Sequence, residues 1–243
     1  MSNKVALITG SSRGLGKEIA TLFAANNYDV VINYNNSIEE AKELEQKLKS
    51  EYKINAISIK CDISNEENVK KMIDEVKNVF SKIDVVVNNA GIANDSIFLD
   101  KTKNDFMKVI ETNLVGSFLV SKYASKIMKN GSIINISSTN AIDTNYPYSA
   151  DYDASKAGLI SLSNNLADAL APNIRVNTVA PGWINTDMNK ELDKDYIKEE
   201  ESKILLGRFA EVKEIAEVVY FLSTEKASYI NKSIIRVDGG YRG

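Results

Sequence analysis

Tyr152 and Lys156 are separated by one helical turn's worth of sequence in the segment DYDASKAGLISLS. In a helix, positions i and i+4 share one face. A free tyrosine has a pKa of ~10, too high for efficient proton transfer near neutral pH. A neighbouring ammonium favours the phenolate and lowers that value. A tyrosine placed in this way can protonate the oxygen of a carbonyl as hydride reaches its carbon. In the reverse direction it removes the proton of an alcohol. The spacing alone is common, and an ordinary helix pair would also carry it.

Composition narrows the chemistry. The chain of 243 residues contains no histidine, which removes Ser-His and Cys-His nucleophile pairs and the His-rich zinc sites of hydrolases and deaminases. Acid–base chemistry near neutral pH must then use Tyr, Lys, Asp, Glu or Cys, and no metal site is expected. The single cysteine, Cys61, cannot form an internal disulfide, which fits a reducing compartment. A net charge of −3 without a basic block weighs against nucleic acid as a partner. No stretch approaches the ~18 apolar residues of a membrane span. The apolar run within MSNKVALITG is too short for a secretory leader. The expectation is a cytoplasmic protein with no membrane partner.

A second constellation is the segment T-G-S-S-R-G-L-G from Thr9 to Gly16, which follows the apolar run Lys4 to Thr9 and precedes a helix pattern. Gly10, Gly14 and Gly16 permit a tight turn and close approach to a pyrophosphate, and the helix N-terminus presents free N–H groups to the anion. Ser11, Ser12, Arg13 and Leu15 complete this loop. Lys17 follows Gly16 as in a P-loop, but counted from Gly10 the second glycine of that motif falls on Leu15, and Glu18 follows Lys17 where Ser or Thr is needed, so a nucleotide triphosphatase is rejected. An acid at the end of the second strand would pair with the ribose hydroxyls of NAD. Here that end reads Asn33, Tyr34, Asn35, Asn36, Ser37. Arg13 matches the geometry of a 2′-phosphate. Both features favour NADP(H), with Asn33 and Tyr34 at the cofactor.

The elements that must position these residues alternate along the chain. Strand patterns occur at Lys4–Thr9, Asp29–Asn33, Ala56–Lys60, Asp84–Val87, Ser132–Ile136, Ile174–Val179 and Ser233–Val237. Helical periodicity fills the intervals, including a long region from Thr102 to Met128, Tyr152 to Leu170 and Glu211 to Leu222. Such alternation predicts an α/β fold, a Rossmann-type doubly wound parallel sheet with helices on both faces. No linker or repeat divides the chain, so one domain is expected over 1–243. The charged stretch Thr186 to Leu206 follows a Pro-Gly break and reads as a mobile helical substrate flap.

Taken in order, T-G-S-S-R-G-L-G, C-D-I at Cys61 to Ile63, N-N-A-G at Asn88 to Gly91, Asn113, I-S-S at Ile136 to Ser138, Y-D-A-S-K, and P-G-W-I-N-T at Pro181 to Thr186 resemble the short-chain dehydrogenase/reductase family. The resemblance covers essentially the whole chain. It implies a catalytic set of Asn113, Ser138, Tyr152 and Lys156. Ser138 matches the serine that hydrogen-bonds the substrate oxygen, and Tyr152 the general acid/base. Lys156 matches the lysine that holds the nicotinamide ribose and depresses the tyrosine pKa. Asn113 matches the asparagine that holds a water in a proton relay to that lysine. Asp62, with Ile63, matches the adenine contact. Asn89, Ala90 and Gly91 match the cofactor lining, and Pro181, Gly182, Ile184 and Thr186 the carboxamide-side loop.

Within the family the tail is most similar to 3-oxoacyl-[acyl-carrier-protein] reductases, through L-G-R-F at Leu206 to Phe209, E-I-A-E-V-V-Y-F-L and V-D-G-G-Y at Val237 to Tyr241. This implies a carrier-linked or small-molecule carbonyl substrate, a role in fatty-acid synthesis and a homotetramer. Two positions depart from that pattern: Pro172 stands where a carrier-docking arginine is expected, and Asn231 replaces the usual glycine after Tyr229-Ile230. Two alternatives stay open. One is a sugar or small-alcohol dehydrogenase of the same family. The other is a non-catalytic NADP(H) sensor or scaffold, against which the intact catalytic set argues.

Overall fold

Alternate side chains of the first strand enter two different apolar cores. In β1 (Lys4–Ile8), Val5 and Leu7 face one side while Ala6 and Ile8 face the other. This is the behaviour of a strand covered on both faces. The computed structural model describes residues 3–144, 146–186 and 193–242. After β1 come α1 (Gly14–Ala25), β2 (Tyr28–Tyr34), α2 (Ile38–Tyr52), β3 (Ala56–Lys60), α3 (Glu66–Phe80) and β4 (Val85–Asn88). The second half holds α4 (Lys103–Ile110), α5 (Gly116–Ala124), β5 (Gly131–Ile136), α6 (Ala150–Leu170), β6 (Ile174–Pro181), β7 (Ile184–Asn185), α7 (Lys194–Lys203), β8 (Ala210–Glu211), α8 (Val212–Ser223) and β9 (Ile234–Val237).

Seven strands pair in parallel in the order β3-β2-β1-β4-β5-β6-β9. Ile19 and Phe23 of α1, Leu44 and Leu48 of α2, and Ile215 and Val219 of α8 cover one face. Met72 and Val76 of α3, Leu119 and Val120 of α5, and Ala167 of α6 cover the other. Burying each large apolar side chain contributes ~1.5–3 kcal/mol, so both helix layers are anchored to the sheet by their apolar stripes. The doubly wound expectation holds.

The order reverses at β1. From there the chain first builds outward to β3, then returns to place β4 on the other side. Such a switch point leaves a crevice beyond the carboxyl ends of the two strands, where open α/β sheets bind ligands. Thr9–Gly16 leaves β1 there, and Asn89–Gly91 leaves β4.

Element boundaries depart from the sequence expectation where local side chains take over. The helix expected from Thr102 to Met128 is interrupted by a π turn over Glu111–Val115. Helix α6 begins before Tyr152, with Ser149 at its N-cap and Asp151 and Asp153 in its first turn, where acids complement the helix dipole. The short pair β7 and β8, joined through Ile184 and Ala210, was not foreseen, because two residues carry no periodicity. In the expected flap, Lys194–Lys203 is the regular helix α7, while 187–192 lies outside the described residues. Among the described residues, no helix is long and apolar enough to cross a membrane.

Candidate active site

The crevice is built first by glycines. Gly10 has φ 61°, and a Cβ placed on it would lie 2.9 Å from the Ala90 Cα. A Cβ on Gly16 would lie 2.5 Å from the Gly10 carbonyl oxygen and 2.6 Å from Asn89 Nδ2. No larger residue fits between the loop after β1 and the loop after β4. Polar bonds hold the two loops together. Thr9 Oγ1 accepts from the N–H groups of Asn89 and Ala90 at 3.0 Å each, and Asn89 Nδ2 donates to the Thr9 and Gly10 carbonyls at 2.9 and 3.2 Å. Thr9 is a site-building residue that the motif reading passed over.

Helix α1 opens directly onto this crevice. Its N-cap, Arg13, supplies no side-chain cap, and its first turn contains no acid. The first N–H groups of a helix have no partner within it, so here they remain available to an anion. Ser11 and Ser12 are buried, and the Ser11 hydroxyl donates to the Ile8 carbonyl at 2.8 Å. Leu15 packs partly buried against the core. The Arg13 side chain is exposed.

At the end of β2, Asn33 and Tyr34 are buried. Asn33 accepts from the Gly10 N–H at 3.1 Å and donates to the Cys61 carbonyl at 3.0 Å. Its carboxamide therefore shapes the glycine loop from below. Asn35 and Asn36, just beyond, are exposed. After β3, Asp62 Oδ1 accepts from the Ser64 N–H and hydroxyl at 3.0 and 2.7 Å, and Ile63 is buried against Gly116. On the far wall, Pro181 ends β6 and the Gly182 N–H donates to the Val237 carbonyl at 3.1 Å. Ile184 stands in β7, and Thr186 follows it.

The catalytic set converges beside this cradle. The end of β5 grips Lys156 twice: the Ser137 hydroxyl donates to the Lys156 carbonyl at 2.9 Å, and Lys156 Nζ donates to the Ile136 carbonyl at 2.8 Å. Ser137 is thereby committed to the helix. Its neighbour Ser138, whose Oγ accepts from the Asn140 N–H at 3.2 Å, is the serine that acts on the Tyr152 phenol, in the sense that lowers its pKa. Lys156 Nζ lies 5.4 Å from the centroid of the Tyr152 ring.

Asn113 is fully buried in the π turn. Its carboxamide pairs with the backbone of Ile92, accepting at 2.8 Å and donating at 2.9 Å, and also donates to Ser155 Oγ at 3.0 Å. Ser155 in turn donates to the Tyr152 carbonyl at 2.7 Å. Ser155 was missed by the sequence reading, although it occupies the serine of Y-D-A-S-K. A Cβ on Gly91 would lie 3.3 Å from Asn113 Oδ1 and 3.4 Å from Lys156 Nζ, so glycine keeps the space between those two groups.

Burial opposes both charged forms in this site. It pushes the Tyr152 phenol up to about 12, with the charges of Asp153 and Asp95 adding to the rise and the Ser138 hydrogen bond opposing it. It lowers the Lys156 ammonium to about 8. The resemblance implied a depressed tyrosine, and the direction set by the surrounding residues is the reverse. The cause is burial, which is the largest contribution to the rise of the phenol and the cause of the fall of the ammonium.

A further polar group borders the loop after β6. Glu200 of α7 is buried. It accepts from Trp183 Nε1 at 2.9 Å, from the Tyr241 hydroxyl at 2.6 Å and from Lys203 Nζ at 2.7 Å. The Trp183 ring stacks on Phe209 with centroids 5.2 Å apart. No short-range pattern links residues 183, 200 and 241, so only the fold brings them together.

A switch-point crevice, an uncapped helix N-terminus and a Ser-Tyr-Lys cluster at its mouth define a dinucleotide-dependent oxidoreductase. Comparison with known proteins agrees. The family model described as enoyl-(acyl carrier protein) reductase matches residues 10–242. The 3-oxoacyl-[acyl-carrier-protein] reductase of Aquifex aeolicus (strain VF5) is 39% identical over 244 residues, spanning 99% of this chain and 98% of its own. Among solved structures, a short-chain dehydrogenase/reductase double mutant from Serratia marcescens has a TM-score of 0.94 at 29% identity, covering 98% of each chain. A structure from Brucella melitensis, titled short-chain dehydrogenase/reductase and glucose/ribitol dehydrogenase, has a TM-score of 0.93 at 32% identity, covering 100% of this chain and 98% of its own. The chain belongs to the short-chain dehydrogenase/reductase family, whose members use a nicotinamide cofactor.

Proposed function

We propose that this protein is an NADPH-dependent reductase of 3-oxoacyl thioesters, carrier-linked in the cell. The observation that carries the reaction type is the placement of Ser138, Tyr152 and Lys156 together at the mouth of the switch-point crevice. The thioester substrate is carried by the 39% identity to a 3-oxoacyl-[acyl-carrier-protein] reductase along nearly the full length of both chains. A nicotinamide cofactor, when bound, would supply the hydride for the carbonyl carbon. Ser138 donates a hydrogen bond to the carbonyl oxygen, and the Tyr152 hydroxyl delivers the proton that turns it into an alcohol. Lys156 holds a positive charge under the tyrosine, and Asn113 braces Ile92 and Ser155 around both.

NADP(H) is supported by the second strand and the glycine loop. No acid stands at the end of β2, Asn35 and Asn36 are exposed, and so is Arg13. The Arg13 side chain forms no hydrogen bond or ion pair among the described residues, which leaves its guanidinium for a 2′-phosphate. Asp62 Oδ2 is similarly unpaired among the described residues, which suits it to an adenine amino group. The chain acts as one domain in which 186–206 forms the substrate flap. It works in the cytoplasm as a homotetramer. Exposed Phe98, Leu99, Met107 and Phe118 around α4 and α5 supply apolar surface for subunit contact, and sedimentation measures the assembly.

Purified protein should oxidise NADPH in the presence of an acetoacetyl thioester, and Tyr152→Phe should reduce turnover by roughly 10²–10⁴-fold, the usual worth of a general acid. NADPH binding without turnover of any 3-oxoacyl thioester would reject the substrate. The Brucella melitensis likeness favours a second reading, a sugar or small-alcohol dehydrogenase, which polyol-dependent reduction of NADP⁺ would establish.

A further inference from the structure

Lys101 and Asp151 form an ion pair sealed inside the protein. Nζ and Oδ2 are 2.8 Å apart, and the two side chains are 3% and 0% exposed. The proposed reaction uses neither group. Removing two charges from water is costly, and an apolar pair of similar volume is commonly at least as stable. Stability alone is therefore a poor reason to find the pair here.

Its connections give a better one. Asp151 occupies the first turn of α6, immediately before Tyr152, and its Oδ1 accepts the N–H of Tyr152 itself at 2.9 Å. That satisfies one of the donors that a helix start leaves unpaired. Lys101 Nζ makes a second bond, to the Asn94 carbonyl at 2.5 Å. Asn94 lies in the segment that leaves the crevice after Gly91, two residues beyond the Ile92 held by Asn113. One ammonium thus ties the segment leaving β4 to the backbone that carries the tyrosine. Asp95, adjacent to the tie, is close enough for its charge to act on the Tyr152 phenol and for Lys101 and Asp151 to act on it.

We propose that Lys101 and Asp151 are positioning residues that fix the spacing between Tyr152 and the 94–96 segment that leaves β4. The proposal rests on Tyr152 as the acid–base group. A specific charged pair is directional where an apolar contact is not, and it holds one arrangement of the two segments.

The test combines a variant with a measurement on the unaltered protein. In the double variant Lys101→Met with Asp151→Leu, no charge is left buried and unpaired. The expected result is an unfolding temperature within a few degrees of wild type, NADPH affinity within about threefold, and kcat on an acetoacetyl thioester lowered at least about tenfold. Amide hydrogen exchange should become faster in both 94–101 and 150–156. A folded double variant with wild-type kcat and exchange overturns the proposal. If that variant fails to fold, Asp151→Asn, which retains the side-chain shape, is judged by the same readouts. In the wild-type protein the two segments should exchange as one cooperative unit, and independent exchange also overturns the proposal. The exchange readout needs no turnover. Coupled exchange in a protein that reduces no carbonyl would reject the reading of Tyr152 and leave the tie between the segments intact.

Discussion

Replacing Asn33 by alanine separates two roles that the end of β2 can play. If Asn33 touches the cofactor's ribose region directly, its loss weakens binding of the cofactor and leaves the fold alone. The structure assigns it the other role. The side chain is 2% exposed, accepts from the Gly10 N–H and donates to the Cys61 carbonyl. An unsatisfied buried polar group costs ~1–3 kcal/mol. The Cys61 carbonyl bears this in full and the partly buried Gly10 N–H in part, which gives roughly 2–4 kcal/mol for Asn33→Ala. For a domain of this size ~1 kcal/mol shifts the unfolding temperature by ~2–4 °C, so a fall of roughly 5–15 °C is expected. Because the loop that loosens carries Gly10, NADPH and NADH should lose affinity by the same factor. Differential scanning calorimetry and titration of nicotinamide fluorescence measure the two effects. An unchanged unfolding temperature, or a loss confined to NADPH, would refute the bracing role and return Asn33 to the cofactor.

Arg13→Ala should do the converse. A charge-assisted hydrogen bond is worth ~1.5–3 kcal/mol, so the Kd for NADPH should rise ~10–100-fold with the unfolding temperature and the Kd for NADH unchanged; binding titrations with both cofactors decide. The Lys156 ammonium, lowered by burial from 10.5 to about 8, should make carbonyl reduction fall as pH rises through about 8, and Lys156→Met should remove that limb from the pH–rate profile. Its folded value lies below its unfolded one, so this group's contribution to stability is present above 10.5 and lost as pH falls through about 8, in the sense required by proton linkage. Glu200→Gln keeps the shape and weakens three bonds, to Trp183, Tyr241 and Lys203; since the chain has one tryptophan, a red shift of its emission together with a lower unfolding temperature should report the loosening, and an unchanged spectrum would show that Gln holds the loop equally well.

Much of this protein is determined by its sequence taken alone. Buried strands are short β-branched runs, and helices carry apolar stripes, so the alternation of the seven strands of the main sheet with helices is visible as periodicity. The glycine loop is legible because backbone approach to phosphate demands glycine at particular steps. The pairing of Tyr152 with Lys156 is legible because a helix repeats every 3.6 residues. What the sequence could not determine lies in contacts between distant segments. The family pattern already singles out Ser138 from its neighbour Ser137, but the physical reason is tertiary: the Ser137 hydroxyl is committed to the Lys156 carbonyl. Asn33 reads as a residue at the cofactor until its carboxamide is seen beneath Gly10. The π turn at Asn113 is invisible to periodicity, and the partner of its carboxamide, the backbone of Ile92, lies 21 residues away. Lys101 and Asp151 look like two surface charges, since a local pattern cannot show that both are removed from water. Local sequence sets which way a side chain points on its own element. Which partner it meets there depends on how the sheet orders its strands.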